Sequence, residues 1–246
     1  MTRRIVVLPD PAAVATAAAD RIVAAGRNAI RRRGVFRFAL SGGATPLSIY
    51  PLLLAPPRVD AVDWSRVEFF WGDERPVTPD HPDSNCGVAR RALLDHLPAV
   101  RAEAVHRMPA ERQDLDAAAR DYQEEIARAF GLPASGPRRP VFDLIWLGMG
   151  RDGHTASLFP DSTALAERRR WVVAAWAPGP ASWRMTLTFP ILNAAREALF
   201  VVWGADKAVP FRFMRRYTGT AEAPSARVHA RRTLWLVDAA AAGVRQ

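Results

Sequence analysis

The sequence has few of the residues that build metal and redox sites. Cys86 is the only cysteine among 246 residues, which excludes an internal disulfide and a cysteine-based metal cluster. No histidine or carboxylate pair stands at a known zinc spacing, so we expect no metal site. A chain so poor in cysteine is typical of a reducing compartment, and we expect a cytoplasmic protein.

Long apolar runs are also missing. The stretch 1–9 contains too short an apolar run for a signal peptide. No stretch reaches the roughly 18 apolar residues that a membrane-spanning helix needs. Disorder is not expected either, because 49% of the residues are hydrophobic. We therefore expect a soluble, folded protein without a membrane partner.

Lysine is nearly absent, although the chain is strongly basic. Lys207 is the only lysine among 34 lysine and arginine residues, and the formal net charge is +9. A bias this general indicates a codon-level preference for arginine. The arginine clusters are scattered along the sequence, at 31–33, 138–139, 168–170, 215–216 and 231–232. Because basic clusters alone are weak support for nucleic-acid binding, we expect no nucleic-acid partner.

Short apolar runs alternate with segments that have helical spacing of apolar residues. Strands are predicted at 4–8, 35–40, 67–71, 142–147, 171–176, 184–189, 198–203 and 233–237. Helices are predicted at 12–33, 46–54, 84–97, 114–130 and 205–217. This alternation predicts an α/β fold with a mostly parallel sheet and helices on both faces. No repeat and no long linker divides the chain, so we expect one domain over residues 1–246.

One glycine-rich loop carries the clearest chemical signal. Residues 148–160 read Gly-Met-Gly-Arg-Asp-Gly-His-Thr-Ala-Ser-Leu-Phe-Pro and follow the predicted strand 142–147. Ligands of open α/β sheets bind at the carboxyl ends of the strands, and glycine lets the backbone approach a ligand closely. His154 can exchange a proton near neutral pH. Asp152 could orient this imidazole or contact a substrate, and the spacing leaves both roles open.

A second strand-end loop has the composition of a phosphate-binding turn. Residues 41–46 read Ser-Gly-Gly-Ala-Thr-Pro and precede a predicted helix. Gly42 and Gly43 free backbone N–H groups for an anion, and Ser41 and Thr45 could add hydroxyl donors. The alternative is an ordinary glycine turn with Thr45 as the helix N-cap. The loop has neither a Walker pattern nor Gly-x-Gly-x-x-Gly, so a nucleotide is not indicated.

Charged side chains follow two further strands. Asp73, Glu74 and Arg75 come after strand 67–71, where the two carboxylates could position a polyhydroxy substrate and Arg75 could hold an anion. The alternative is a local ion pair at the surface. Lys207 follows strand 198–203, and a single lysine in an arginine-rich chain suggests that a compact ammonium is needed there. The alternative is a solvated side chain in the first turn of a helix.

Together these motifs resemble the 6-phosphogluconolactonase family and, more distantly, the glucosamine-6-phosphate isomerases/deaminases. The matching stretches follow in order along most of the chain, at 41–46, 70–75, 84–85, 148–160, 184–188 and 204–207. The run 152–160 is long and specific, whereas the shorter pieces would mean little alone. The resemblance implies a single Rossmann-like α/β domain that hydrolyses 6-phosphoglucono-δ-lactone to 6-phosphogluconate. This is the second step of the oxidative pentose phosphate pathway, and it uses no metal or organic cofactor.

The resemblance also implies roles for individual residues. The proton-transfer residue would be His154, and Asp152 would either orient it or contact the substrate. The substrate-binding set would comprise Ser41, Gly42, Gly43, Thr45, Asp73, Arg75, Arg184 and Lys207, with the last two near the phosphate. No Gly-x-Ser-x-Gly elbow is present, so direct attack by water is expected and Ser157 is interpreted as structural. Arg151 departs from the family pattern and adds positive charge beside the site.

Two alternatives compete with lactone hydrolysis. A deaminase would use Asp73 to move a proton between two sugar carbons, with His154 helping ring opening. Residues 155–160 read Thr-Ala-Ser-Leu-Phe-Pro, which resembles the lactonases instead. A non-catalytic sugar-phosphate-binding protein would not need the His154–Asp152 pair. We therefore expect a phosphosugar lactone as the partner of a monomer or weak homodimer.

Overall fold

A six-stranded parallel sheet organises the chain in a computed structural model that describes residues 1–178, 183–216 and 223–244. The strands are β1 (Thr2–Leu8), β2 (Phe36–Leu40), β3 (Val67–Trp71), β4 (Asp73–Glu74), β5 (Leu144–Leu147), β6 (Val172–Trp176), β7 (Trp183–Leu187), β8 (Glu197–Val202) and β9 (Arg232–Asp238). The main sheet has the order β1-β9-β8-β5-β2-β3, and every neighbouring pair in it is parallel. A small antiparallel sheet has the order β4-β7-β6.

Helices cover both faces of the main sheet. They are α1 (Pro11–Arg33), α2 (Tyr50–Leu54), α3 (Asn85–Ala92), α4 (Leu115–Ala129), α5 (Phe189–Leu192), α6 (Ala208–Arg216) and α7 (Ala239–Ala242). The first three pack into one apolar core, and the other four share a second core with the small sheet. None of the helices in the described ranges is long and apolar enough to cross a membrane.

The alternation of side chains along each strand separates the two cores. On β5, Leu144 and Trp146 enter the core of α1, whereas Ile145 and Leu147 enter the core of α4. Successive side chains of a strand point to opposite faces, and a sheet covered on both faces needs apolar residues at every position. This requirement explains why the central strands are continuous apolar runs.

The predicted fold class is confirmed, but the structure corrects several details. Helix α3 ends at Ala92, and a 3₁₀ turn (Leu94–His96) follows instead of the predicted helix to 97. Leu97 has extended backbone because it precedes a proline, which disfavours helical dihedrals at that position. The segment 205–217 begins with a 3₁₀ turn before α6, and Tyr217 lies outside the described residues. Strands β6 and β7 belong to the antiparallel sheet, which the sequence pattern does not reveal.

The predicted N-cap role of Thr45 is wrong. The residue before the first turn is Ala44, and no side chain caps this turn. The turn is a 3₁₀ helix (Thr45–Ser48), in which the Leu47 N–H already donates to the Ala44 carbonyl at 3.2 Å. A cap hydroxyl would compete for an amide that the tight turn has satisfied.

Candidate active site

Four loops that carry predicted site residues lie side by side at one edge of the main sheet. They follow β8, β5, β2 and β3, which are neighbours and all parallel. The chain leaves β2 toward β3 but leaves β5 toward β8, so the strand order reverses between β2 and β5. Such a switch point opens a crevice at the carboxyl ends of the strands, where ligands of this fold class bind. The Gly42 loop and the His154 loop border this crevice.

His154 and Asp152 form a hydrogen-bonded pair in the loop after β5. His154 Nδ1 lies 2.5 Å from Asp152 Oδ1, and the His154 backbone N–H donates to the same oxygen at 3.1 Å. Partial burial acts against ionisation, but the hydrogen bond and charge of His154 lower the pKa of Asp152 overall. An ionised carboxylate only accepts, so Nδ1 carries a proton, and in the neutral form of the ring Nε2 has the lone pair. The imidazole also packs on Phe159, with ring centroids 4.1 Å apart.

Gly150 makes room for this pair. A Cβ atom at position 150 would lie 2.0 Å from His154 Nδ1 and 2.6 Å from Asp152 Oδ1. The Gly150 N–H donates to the His154 carbonyl at 2.9 Å, which closes the loop on itself. The glycine is therefore required by close packing against the imidazole.

Asp73 joins the loop after β3 to the loop after β5. Its Oδ2 accepts a hydrogen bond of 2.6 Å from Ser157 Oγ, and the Ser157 N–H donates to Thr186 Oγ1 at 3.1 Å. Ser157 is buried, and both its hydroxyl group and its N–H donate these hydrogen bonds, which agrees with its interpretation as structural. The expected alternative, an ion pair of Arg75 with Asp73 or Glu74, is not found among the described residues.

Glu74 closes the amino end of α3. The buried carboxylate accepts from the N–H groups of Arg75, Asn85 and Cys86 at 2.8 Å and from Ser84 Oγ at 3.2 Å. Burial raises the pKa of Glu74, and the three backbone donors oppose that shift. Helix N-termini carry unpaired N–H groups that favour an anion, so this buried charge is held by the backbone.

Asn85 connects α3 to the Gly42 loop. Its Nδ2 donates to the Asp73 carbonyl at 2.8 Å, and its Oδ1 is buried without a hydrogen-bond partner in the described part of the chain. A Cβ at position 42 would lie 2.1 Å from that Oδ1, so only glycine fits there. In the sequence, Ser84 and Asn85 stand out only as a stretch that matches the family, and nothing in the pattern indicates this contact.

The Gly42 loop forms one wall of a cavity of about 290 Å³. Its lining comprises Ser41, Gly42, Gly43, Ala44, Pro46, Leu47, Tyr50, Arg75, Pro82, Asp83, Asn85 and Val88. Within the described residues, the N–H groups of Gly42, Gly43 and Ala44 have no hydrogen-bond acceptor. Thr45 does not line this cavity, unlike its predicted neighbours. The loop therefore offers backbone donors, as a bound anion would require.

Two guanidinium groups approach each other beside this cavity. Arg75 Nη1 donates to the Asp83 carbonyl at 2.5 Å. Arg184 lies on β7, and burial followed by the charge of Arg75 lowers its pKa. Two cations that destabilise each other in this way would be stabilised by an anion between them.

Lys207 lies in the loop after β8. Its Nζ lies 3.6 Å from Asp206 Oδ2, and Arg151 Nε donates to the same oxygen at 2.8 Å. The hydrogen bond from Arg151, with the charge of Lys207, lowers the pKa of Asp206. The Arg151–Asp206 contact thus joins the loops after β5 and β8. No group of three or more potential metal ligands occurs among the residues whose structure is described.

Comparison with known proteins identifies the family. Residues 9–235 match the family described as Glucosamine-6-phosphate isomerases/6-phosphogluconolactonase. The chain belongs to this family. A 6-phosphogluconolactonase of Streptomyces coelicolor is 38% identical over 247 residues, which cover 98% of this chain and 94% of that protein. One from Nostoc is 38% identical over 257 residues, covering 98% of each.

A solved structure of this family shares the fold. The 6-phosphogluconolactonase from Trypanosoma cruzi superimposes with a TM-score of 0.84 at 28% identity. The match covers 98% of this chain and 96% of the other. The family match therefore extends over the whole edge of the sheet that carries His154, Asp73 and Lys207.

The close packing at Gly150 generates a structural prediction. In Gly150→Ala the new Cβ would displace the imidazole of His154, so the Nδ1–Oδ1 distance to Asp152 should lengthen beyond hydrogen-bonding range. Gly148→Ala is the matched control, because its Cβ would meet no atom closer than Ser41 Oγ at 4.0 Å. Crystal structures of both variants provide the measurement. An unchanged pair in Gly150→Ala would contradict the packing argument.

Proposed function

We propose that the protein hydrolyses 6-phosphoglucono-δ-lactone to 6-phosphogluconate in the oxidative pentose phosphate pathway. The observation that carries the proposal is the His154–Asp152 pair, with Nδ1 and Oδ1 2.5 Å apart at the switch point of the sheet. The near full-length similarity to 6-phosphogluconolactonases supports the same reaction.

The proposed reaction begins with removal of a proton from water by Nε2 of His154. The water oxygen bonds to the lactone carbonyl carbon, and the carbonyl electrons move onto its oxygen to give a tetrahedral oxyanion. When the oxyanion collapses, the bond between this carbon and the ring oxygen breaks. The imidazolium returns its proton to the ring oxygen, which leaves a carboxylic acid and a hydroxyl group. A positioned base of this kind contributes roughly 10²–10⁴-fold to the rate.

Asp152 is proposed to orient His154 and stabilise the imidazolium. Its carboxylate accepts from both Nδ1 and the backbone N–H of His154, which fixes the ring relative to the loop. With the proton held on Nδ1, the lone pair of Nε2 is available to the water. A role of Asp152 in substrate contact is the alternative that the experiment below distinguishes.

The substrate is proposed to lie across the crevice, with its lactone carbonyl at His154 and its phosphate among the basic groups. In this proposal Arg75, Arg184 and Lys207 supply the positive charge, and the N–H groups of Gly42 and Gly43, which have no acceptor among the described residues, add backbone donors. The sugar hydroxyls would contact Ser41 and Asp73 between these two ends. Thr45 stays in the proposed set as a further hydroxyl donor of this loop, although only its neighbours line the cavity.

The function is tested by generating the lactone in situ and following acid release above the spontaneous rate. The same preparation is then incubated with glucosamine 6-phosphate, and ammonia is measured. We expect acceleration of lactone opening and no ammonia. Release of ammonia would favour the deaminase alternative, and activity with neither compound would favour a binding protein.

His154→Ala should reduce kcat for the lactone by about 10²–10⁴-fold, because it removes the proposed base. The side chain is partly exposed, so thermal unfolding should change little. His229→Ala is the control, since that imidazole lies outside the crevice. Activity within a few-fold of the original protein would show that His154 is not the base.

Asp152→Asn should lower kcat by more than about tenfold with little change in KM, because the amide can leave the imidazole in the wrong tautomer. The readout is the kinetic split between kcat and KM. A rise in KM with unchanged kcat would assign Asp152 to substrate contact instead.

Lys207→Ala should raise KM for the phosphorylated lactone by about tenfold or more while kcat stays nearly constant, because a charge-assisted contact to the phosphate is lost. Glucono-δ-lactone, which lacks the phosphate, is the control substrate, and its KM should be unchanged in the variant. An equal penalty on both lactones would remove Lys207 from the phosphate site.

A further inference from the structure

A cavity lies at the opposite edge of the sheet from the crevice. It measures about 840 Å³ and opens at the amino ends of β1 and β9. Its lining includes four arginines (Arg3, Arg139, Arg168 and Arg227), the apolar surface of Phe189, Pro190 and Val228, and the hydroxyl-bearing Thr233. Small-molecule sites combine such an apolar wall with a few convergent polar groups.

Two guanidinium groups in this cavity are held side by side by one carbonyl oxygen. Arg168 Nη1 and Arg227 Nη2 both donate to the Leu165 carbonyl, at 3.0 and 2.8 Å. Arg227 also stacks on the ring of Phe189, with its Cζ 4.3 Å from the centroid. Burial and the charge of Arg168 lower the pKa of Arg227. The pair is therefore preorganised, and its mutual repulsion would be relieved by an anion.

The carboxylate nearest to this pair is already occupied. Glu167 lines the cavity, but its Oε1 accepts from the backbone N–H groups of residues 168, 169 and 170 at 2.6 to 3.0 Å. Neither Arg168 nor Arg227 forms an ion pair with any carboxylate in the described ranges. Arg139 adds a third guanidinium through a hydrogen bond of 3.2 Å to the Arg168 carbonyl. The cavity wall therefore keeps an excess of positive charge.

A buried hydroxyl group in the same wall lacks a partner. Thr233 is 3% exposed, and its Oγ1 makes no hydrogen bond to any described residue. Buried polar atoms are nearly always paired, and leaving one unpaired costs free energy. The side chain lies on the face of β9 that also carries Trp235, toward Phe189 and Ala226. A ligand in the cavity would supply the missing partner.

We propose that this cavity is a second ligand site, which binds a phosphate monoester with an apolar or aromatic group. The phosphate would accept hydrogen bonds from Arg168, Arg227 and the Thr233 hydroxyl, and the apolar group would pack on Pro190 and Val228. Several guanidinium donors suit the dianionic, many-acceptor phosphate better than a single carboxylate. The site lies at the amino ends of the strands, so its ligand would not compete with a substrate at the carboxyl ends.

Phenyl phosphate is the probe, and amide chemical shifts of the full-length protein are the measurement. Titration should shift the amides of Asn193, Val228, His229 and Thr233, separately from any shift at Gly42 and Gly43. Inorganic phosphate tests the need for the apolar group, and benzoate tests the need for phosphate. Both should bind the cavity more weakly than phenyl phosphate does.

Two variants and one control make the test specific. Arg227→Gln should weaken the cavity affinity for phenyl phosphate by at least about tenfold. Thr233→Val should weaken it several-fold without lowering the melting temperature, since the hydroxyl has no partner to lose. Arg128→Gln removes an exposed charge on α4 and should change neither the affinity for phenyl phosphate nor the melting temperature. All three should keep the activity of the crevice.

The outcomes separate clearly. Shifts confined to the crevice loops, or an affinity at the cavity that survives both Arg227→Gln and Thr233→Val, would overturn the proposal. Equal binding of benzoate would overturn the assignment to phosphate. If Arg227→Gln fails to fold, Thr233→Val still decides the matter. None of these results depends on lactonase activity, so the cavity and the proposed function can fail independently.

Discussion

The buried carboxylate of Glu74 is the contact on which the geometry of the crevice depends. It satisfies the first N–H groups of α3 and so fixes where that helix begins. The start of α3 places Asn85 against Gly42 and under the Asp73 carbonyl. Asp73 in turn holds Ser157, and with it the loop that carries His154. One buried charge, neutralised by backbone dipoles, thereby sets the relative positions of three separate loops.

The sequence predicts the framework of the site better than its internal contacts. Apolar runs reveal the strands, and parallel strands bring the loops that follow them to one edge of the sheet. The sequence alone therefore places His154 and Asp73 at the same edge. The pairing of His154 with Asp152 is also local enough to anticipate. The Ser157–Asp73 bond joins residues 84 positions apart, and no periodicity signals it. Strand β4 has only two residues, which is too short for any pattern to detect.

The contacts of the arginine residues are likewise not visible in the sequence pattern. These residues are scattered along the sequence, yet several meet at the amino ends of the parallel strands. There the buried Asp143 binds Arg33 and Arg196, and the buried Glu197 binds Arg21 and Arg232. A codon-level preference would account for arginine in place of lysine at these positions, but not for the convergence of these residues. The buried carboxylates explain this convergence, because a buried charge without an oppositely charged partner would destabilise the fold.

Asp206 shows how a departure from the family pattern can be accommodated. Arg151 occupies the carboxylate oxygen that also faces Lys207. One negative group is thus shared by two positive ones, and the trio retains a net charge of about +1 at the rim of the crevice. Because Arg151 and Lys207 share the carboxylate of Asp206, the charge of the Lys207 ammonium is only partly neutralised. A dianionic ligand would be attracted to the remaining positive charge. This excess of positive charge would attract the anionic end of a ligand before it contacts the site.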